Sequence, residues 1–385
     1  MKSRGYGGAG GIRTLDELLA HTHFPGERLR PLGHRSALLW SGAPSGMSWV
    51  SQGVGSCNNG QMSFLSLIAA AAVAAAPAPG EIVATSPSAD WVAVSPDDLV
   101  VMDLAPDAAG KARRVVIQLL PDPFSQGWVG NVRTLATARW WDGTSVYRVQ
   151  DNWVAQWGDA DGEIAGKAKP LPQGLLSVPE KAYVLRTEGP EQSASHEELD
   201  AWLATIQGTH AAWHALTHTK LAIKDADPYA DETFFYRGWP LGASRAGPTA
   251  WPLHCYGTVG VARNSSPDTG TGAELYAVIG HAPRQLDRNI AVVGRVIEGI
   301  QFLSSLPRAP ASNGVYETPE QRTPIVSVRM GTAVPDLPRY EFLSTESSTF
   351  HHYAEASANR RDPFFIKPAG GIDICNVKVP VRQAK

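Results

Sequence analysis

The chain has 385 residues, with 34 Lys and Arg against 37 Asp and Glu and a formal net charge of −3. That length fits two or three domains, or one decorated domain, and the charge balance excludes a basic phosphate-binding face as the main function. Charged residues make up only 18% and hydrophobic ones 43%, which excludes wholesale disorder; 37 Gly and 29 Pro favour short strands and turns over long helical bundles.

Residues 1–61 hold glycine clusters between Gly5 and Gly11, scattered arginines and no sustained period of 2 or 3.6. The stretch from Gly10-Gly11-Ile12-Arg13-Thr14-Leu15-Asp16 through His23-Phe24-Pro25-Gly26 to Pro31-Leu32-Gly33-His34-Arg35-Ser36 resembles a false translation across a transfer-RNA gene, made when a gene start is called too early. It reads as a spurious, unfolded extension; a genuine disordered or targeting extension is the alternative. Residues 62–80 open with Met62-Ser63-Phe64-Leu65-Ser66-Leu67-Ile68-Ala69 and end near Ala76-Pro77-Ala78. The apolar run of about 13 residues is short of the ~20 that span a bilayer, and small residues at its end fit a secretory signal peptide beginning at Met62. No Lys or Arg separates Met62 from the run, so an Ala-rich buried helix or linker is the alternative. With a signal the protein is exported, to the periplasm; without one it stays cytoplasmic.

Strand patterning begins near residue 97. Asp98-Leu99-Val100-Val101-Met102-Asp103-Leu104 and Arg114-Val115-Val116-Ile117-Gln118-Leu119-Leu120 flank the turn Asp107-Ala108-Ala109-Gly110, which predicts a hairpin. Val129, Val132, Leu135 and Ala136 recur at spacings of three and four, which predicts a helix within 125–140. Asp142-Gly143-Thr144 turns into Val146-Tyr147-Arg148-Val149 and then Trp153-Val154-Ala155-Gln156-Trp157-Gly158.

Residues 163–245 differ in character. A Gly/Ala/Lys/Pro connector from Glu163 to Gln173 precedes a predicted strand, Ala182-Tyr183-Val184-Leu185. Ser195-His196-Glu197-Glu198 is a capping-box-like start of a helix running to about Ala222. His210, His214 and His218 share one face of it, but no His-Glu-x-x-His pattern is present, so they read as a polar helix face and no metal is implied. Residues 224–250 read as loop-rich. Strands resume at Gly257 to Arg263, Ala273 to Ile279, Ile290 to Val296 and Pro324 to Met330, with a short helix beginning at Ile297 and a last strand within Ile372 to Val379. Cys57 lies in the discarded segment; Cys255 and Cys375 would form one disulfide in an oxidising compartment or remain two buried thiols.

Six of these blocks, in order, resemble the cyclophilin family of peptidyl-prolyl cis-trans isomerases. Met102-Asp103-Leu104 is similar to the family's Phe-Asp-Ile strand, and Gly130-Asn131-Val132-Arg133-Thr134-Leu135 to its Glu-Asn-Phe-Arg-Ala-Leu helix. Val146-Tyr147-Arg148 stands for Phe-His-Arg and Gln156-Trp157-Gly158-Asp159 for Gln-Gly-Gly-Asp. Gly257 to Arg263 resembles Gly-x-x-Ser-Met-Ala-Asn, and Leu286-Asp287 through Val293-Gly294-Arg295-Val296 resembles Leu-Asp-Gly-x-x-x-x-Phe-Gly-x-Val. The resemblance implies a mainly β fold: a closed antiparallel eight-stranded barrel capped by two helices, occupying residues 95–335, with an α-containing insertion at 163–245 and a C-terminal extension at 336–385 packed on the barrel.

It also implies the activity, rotation about X-Pro bonds in peptides and unfolded proteins, without cofactor or metal. Arg148 falls at the essential arginine, and Gln156 at the glutamine that binds substrate backbone and orients it. Trp153, Val154, Ala262, Arg263, Glu274, Leu275, Tyr276, Leu286 and Ile290 fall on the substrate pocket and groove, with Tyr276 as its floor. The departures are Tyr147 for a histidine, Arg263 for an asparagine, Glu274 for a glutamine, Ile290 for a histidine and Gln285 for the tryptophan associated with cyclosporin binding. They imply altered rate and specificity and low cyclosporin sensitivity. A cyclophilin-like module that binds proline-containing segments without turnover is the second reading, reached if Glu274 pairs with Arg148 or Arg263 and ties the cation up. A non-catalytic barrel whose insertion and tail form an assembly surface is the third. None of the three invokes nucleic acid or stable membrane insertion.

Overall fold

The computed structural model describes residues 76–186, 227–244, 249–362 and 364–384. In chain order the strands are β1 (Trp91–Ala93), β2 (Leu99–Leu104), β3 (Arg113–Leu119), β4 (Ser145–Val149), β5 (Val154–Gly158), β6 (Leu185–Arg186), β7 (Glu232–Tyr236), β8 (Trp239–Ser244) and β9 (Thr249–Pro252). They continue as β10 (Thr258–Val261), β11 (Leu275–Val278), β12 (Val292–Glu298), β13 (Thr323–Met330), β14 (Tyr340–Leu343) and β15 (Val381–Gln383). The α-helices are α1 (Pro79–Ala84), α2 (Gln126–Thr137), α3 (Gln301–Ser304) and α4 (Ser348–Ala358).

Eight strands close an antiparallel barrel in the order β10-β11-β5-β4-β13-β2-β3-β12. Side chains alternate between the two faces of a strand, so Val100 and Met102, Ile117 and Leu119, Trp157, Leu275, Val293 and Val328 meet inside. Closure leaves these strands no open edge. The β2–β3 hairpin turns as predicted: the Asp107 carboxylate accepts from the Ala109 and Lys111 amides, and Gly110 takes the left-handed conformation at φ 78°.

Helix α2 buries Trp128, Val129, Val132, Leu135 and Ala136 against the barrel core, the stripe that three- and four-residue spacing produces. Its buried Asn131 donates to the Leu176 and Thr271 carbonyls, both at 2.9 Å, and accepts from the Leu176 amide. The connector after β5 is thereby pinned to the helix. Two capping helices were expected; the second, α3, is a single turn.

Strands β6, β7 and β8 from the described part of the insertion join β9 in a four-stranded sheet, β6-β9-β8-β7. The loop-rich expectation for 224–250 is corrected there: β7 and β8 form a hairpin turned by Arg237 (φ 46°) and Gly238 (φ 82°), the conformations that match strand twist. The strand expected at 182–185 begins only at Leu185; Ala182 and Tyr183 belong to a 3₁₀ turn, Glu180–Tyr183, from which the Tyr183 ring stacks on Trp128 with centroids 5.1 Å apart. The helix starting at Ser195 and its three histidines lie outside the described residues.

The tail forms a second small sheet, β1-β14-β15, whose Tyr340 and Phe342 pack on Leu99 and Val116 from the barrel. The last strand lies beyond the expected 372–379. Ile374 and Val377, three apart, are buried with Phe350 and Trp251, a spacing that suits the observed 3₁₀ turn Ile374–Asn376 and not a strand. Cys375 in that turn is disulfide-bonded to Cys255, with Cα atoms 5.1 Å apart.

Candidate active site

Four neighbouring barrel strands place one row of residues on the outer face. Arg148 on β4 pairs with Gln156 on β5, Gln156 with Tyr276 on β11, and Tyr276 with Gly260 on β10. Their chain neighbours Val149, Ala155, Trp157, Leu275, Ala277, Val259 and Val261 belong to the barrel core. The β4–β5 register shifts between Val146 and Arg148, a bulge that re-aims a side chain. Tyr147 and Arg148 consequently both engage Gln156.

The half-buried Arg148 guanidinium is held on several sides. Nε donates to the Asn313 carbonyl at 2.6 Å, one terminal nitrogen to Gln156 Oε1 at 3.1 Å and the other to Gln150 Oε1 at 2.7 Å. Gln156 Nε2 in turn donates to the Tyr147 hydroxyl oxygen, and the Tyr147 hydroxyl donates to Glu274 Oε2 at 2.8 Å. The other Glu274 oxygen accepts from the Asp159 amide at 2.7 Å. Arginine only donates and an ionised carboxylate only accepts, so these two ends dictate the direction of every hydrogen bond between them. Burial pushes the Glu274 carboxyl up to about 7, against the lowering effect of the Asp159 amide and the Tyr147 hydroxyl. Burial and the neighbouring Glu274 charge push the Tyr147 phenol up as well, so it remains protonated.

Beside this cation lies an apolar cluster: Val154, Tyr276, Val278 and Leu286 are buried, with Trp153, Ala262 and Ile290 packed against them. The structure therefore brings six of the residues singled out for the substrate pocket into one patch adjoining Arg148 and Gln156. Arg263 stands next to Ala262 and donates to the Asn289 and Asn264 carbonyls. Glu274 precedes β11 and serves the Tyr147 hydroxyl. Leu275 is the exception and is corrected: it lines the barrel interior, because adjacent residues of a strand face opposite sides and Tyr276 occupies the outer one.

Sequence reading missed the polar groups behind Tyr276. His254, between β9 and β10, is fully buried; its ring contacts the Tyr276 hydroxyl oxygen through Nε2 at 3.0 Å and Asp287 Oδ1 through Nδ1 at 2.9 Å. Arg284 Nε donates to Asp287 Oδ2 at 2.5 Å, and its terminal nitrogens reach both Asp227 oxygens at 2.7 and 3.1 Å. Asp287 stood in a recognised sequence block, but nothing in the spacing joins it to His254, 33 residues earlier.

Residues 107–330 match the family described as cyclophilin type peptidyl-prolyl cis-trans isomerase/CLD. Among solved structures the chain is similar to cyclophilin AquaCyp293 from Hirschia baltica, with a TM-score of 0.51 and 22% identity over 77% of this chain and 94% of that one; at that identity the likeness bears on the fold. Comparison with curated proteins finds no match. The family match extends over more than half of the chain and takes in the four strands that carry the row from Arg148 to Tyr276, and the chain belongs to the cyclophilin-type peptidyl-prolyl isomerase family.

Proposed function

We propose that Arg148 and Gln156 carry the isomerisation and that the Trp153, Val154, Ala262, Tyr276, Leu286 and Ile290 patch receives the prolyl ring. Amide resonance sets a barrier of about 18–20 kcal/mol to rotation, and uncatalysed X-Pro isomerisation takes tens to hundreds of seconds. Reaching milliseconds requires roughly 7 kcal/mol off that barrier. No nucleophile is needed. As the C–N bond twists, the prolyl nitrogen becomes pyramidal and gains a lone pair; a donor aimed at it stabilises the twisted state more than the planar one.

A permanently charged, planar guanidinium fits that role, and the observation that carries the assignment is its fixation. Three acceptors hold Arg148 next to an apolar patch, so little reorganisation remains when the transition state forms. Gln156 orients the cation and lies beside Tyr276 on the neighbouring strand. The Glu274 carboxylate is engaged by the Tyr147 hydroxyl and the Asp159 amide. The substrate is a proline-containing segment of a peptide or unfolded protein. We also place the protein outside the cytoplasm, in the periplasm, supported by the apolar run after Met62 and by the disulfide chemistry available to Cys255 and Cys375.

Acceleration of cis-trans exchange in a short Ala-Pro peptide, abolished by Arg148→Ala, tests the assignment. A folded protein that binds the peptide without accelerating exchange would replace it with the binding-module reading. Recovery of the protein from the periplasmic fraction tests the location, and an exclusively cytoplasmic pool contradicts it.

A further inference from the structure

The Tyr276 ring occupies a position that two features make available. Gly260 lies opposite it on β10, and a Cβ there would stand 2.3 Å from the Tyr276 hydroxyl oxygen. Any other residue would displace the ring. Beyond that gap the hydroxyl meets His254 Nε2 at 3.0 Å, with the two rings nearly parallel, 17° apart. The Asp287 carboxylate faces Nδ1, which assigns the proton to Nδ1 and leaves Nε2 to accept from Tyr276.

Each member is itself fixed. Asp287 Oδ1 also accepts from the His254 amide at 2.9 Å, and Asp287 Oδ2 takes Arg284, which is clamped by both oxygens of Asp227. The His254, Asp287 and Arg284 side chains are 0%, 2% and 5% exposed. A polar network this deep is stabilising only when every group is satisfied, and here its outermost contact is the floor of the apolar patch. A tyrosine hydroxyl left unpaired there would be a buried donor without an acceptor or would swing the ring toward the substrate's place.

We propose that His254, backed by Asp287 and Arg284, is a positioning residue that holds Tyr276 against Gly260 and so keeps the prolyl-ring site open. The proposal rests on the assignment of that patch to the prolyl ring. It predicts a binding effect: the network touches the ring site and not Arg148, so its loss raises KM and leaves kcat.

The test uses the full chain and a short Ala-Pro peptide, reading KM and kcat from exchange rates and Kd from direct titration. His254→Ala is expected to raise KM and Kd about tenfold, the equivalent of one lost buried hydrogen bond, with kcat within about twofold. His254→Gln, whose amide can still accept from the Tyr276 hydroxyl, is expected to restore most of that loss. Should His254→Ala not fold, Gly260→Ala displaces the same ring from the other side and is expected to raise Kd similarly. Unchanged Kd in a folded His254→Ala, or a fall in kcat at constant KM, overturns the proposal. Absence of turnover in the unmutated protein overturns the isomerase assignment instead, while the Kd ratio still decides the role of His254.

Discussion

Replacing Glu274 with Gln should remove a pH dependence of stability that only a buried carboxyl produces. In the folded chain Glu274 is raised from 4.5 to about 7. The folded state therefore keeps a proton that the unfolded state releases above pH 4.5. Stability from this group is fully present below about pH 4.5 and is lost as pH rises through 7, a change of about 3 kcal/mol at 1.36 kcal/mol per pH unit. Asp159 and Glu163 add to the upward shift, while the Tyr147 hydroxyl and Asp159 amide oppose it. Urea unfolding of both proteins at pH 4.5 and 7.5 isolates the effect, since every other titrating group cancels in the comparison. Glu274→Gln should gain roughly 3 kcal/mol on the unmutated protein between those two pH values. Parallel pH profiles would refute the reasoning. The same ionisation should favour catalysis, because the carboxylate fixes the Tyr147 hydroxyl and through it the Gln156 amide facing Arg148.

Cys375→Ser should cost roughly 2–5 kcal/mol in chemical denaturation, since the bond closes a separation of 120 residues and cross-link stabilisation grows with loop length; a loss below 1 kcal/mol would contradict this. Asp287→Ala removes the acceptor of the buried His254 ring and amide and of Arg284 Nε, while Asp227 still holds the guanidinium, and should lower stability by about 1–3 kcal/mol, read as a drop in the denaturation midpoint. Gly260→Ala should cost about 1–3 kcal/mol, because its Cβ overlaps the Tyr276 hydroxyl; an unchanged midpoint would mean that the ring lies elsewhere.

The barrel was legible because its strands read as β-rich apolar runs between turns: Leu99 to Leu104, Arg113 to Leu119 and Thr323 to Met330 appear within a residue or so of those runs. The resemblance places Leu275 and Tyr276 together in the pocket block, although only one of two adjacent strand residues can face it. The hairpin Glu232–Tyr236 and Trp239–Ser244 was missed because Pro240 and Gly242 weaken its strand pattern, although Arg237-Gly238 was a readable turn. Arg148 and Gln156 sat in recognisable blocks. His254 did not: its partners Tyr276 and Asp287 are 22 and 33 residues away, and they meet only through the pairing of β10 with β11 and the turn after β11. The pairing of Cys255 with Cys375 likewise required the tail's path across the insertion's sheet, which no spacing rule supplies.

The central claim is that a fixed guanidinium performs the isomerisation. It is tested most directly by exchange rates of a short Ala-Pro peptide with the unmutated protein, Arg148→Lys and Arg148→Ala. The lysine keeps the charge but not the planar fork that engages Asn313, Gln150 and Gln156, and it should retain only part of the rate. Arg148→Ala should lose about 10²–10³-fold in kcat, the usual effect of deleting one transition-state donor, with the fold intact by circular dichroism. Equal rates in the unmutated protein and a folded Arg148→Ala would contradict the account.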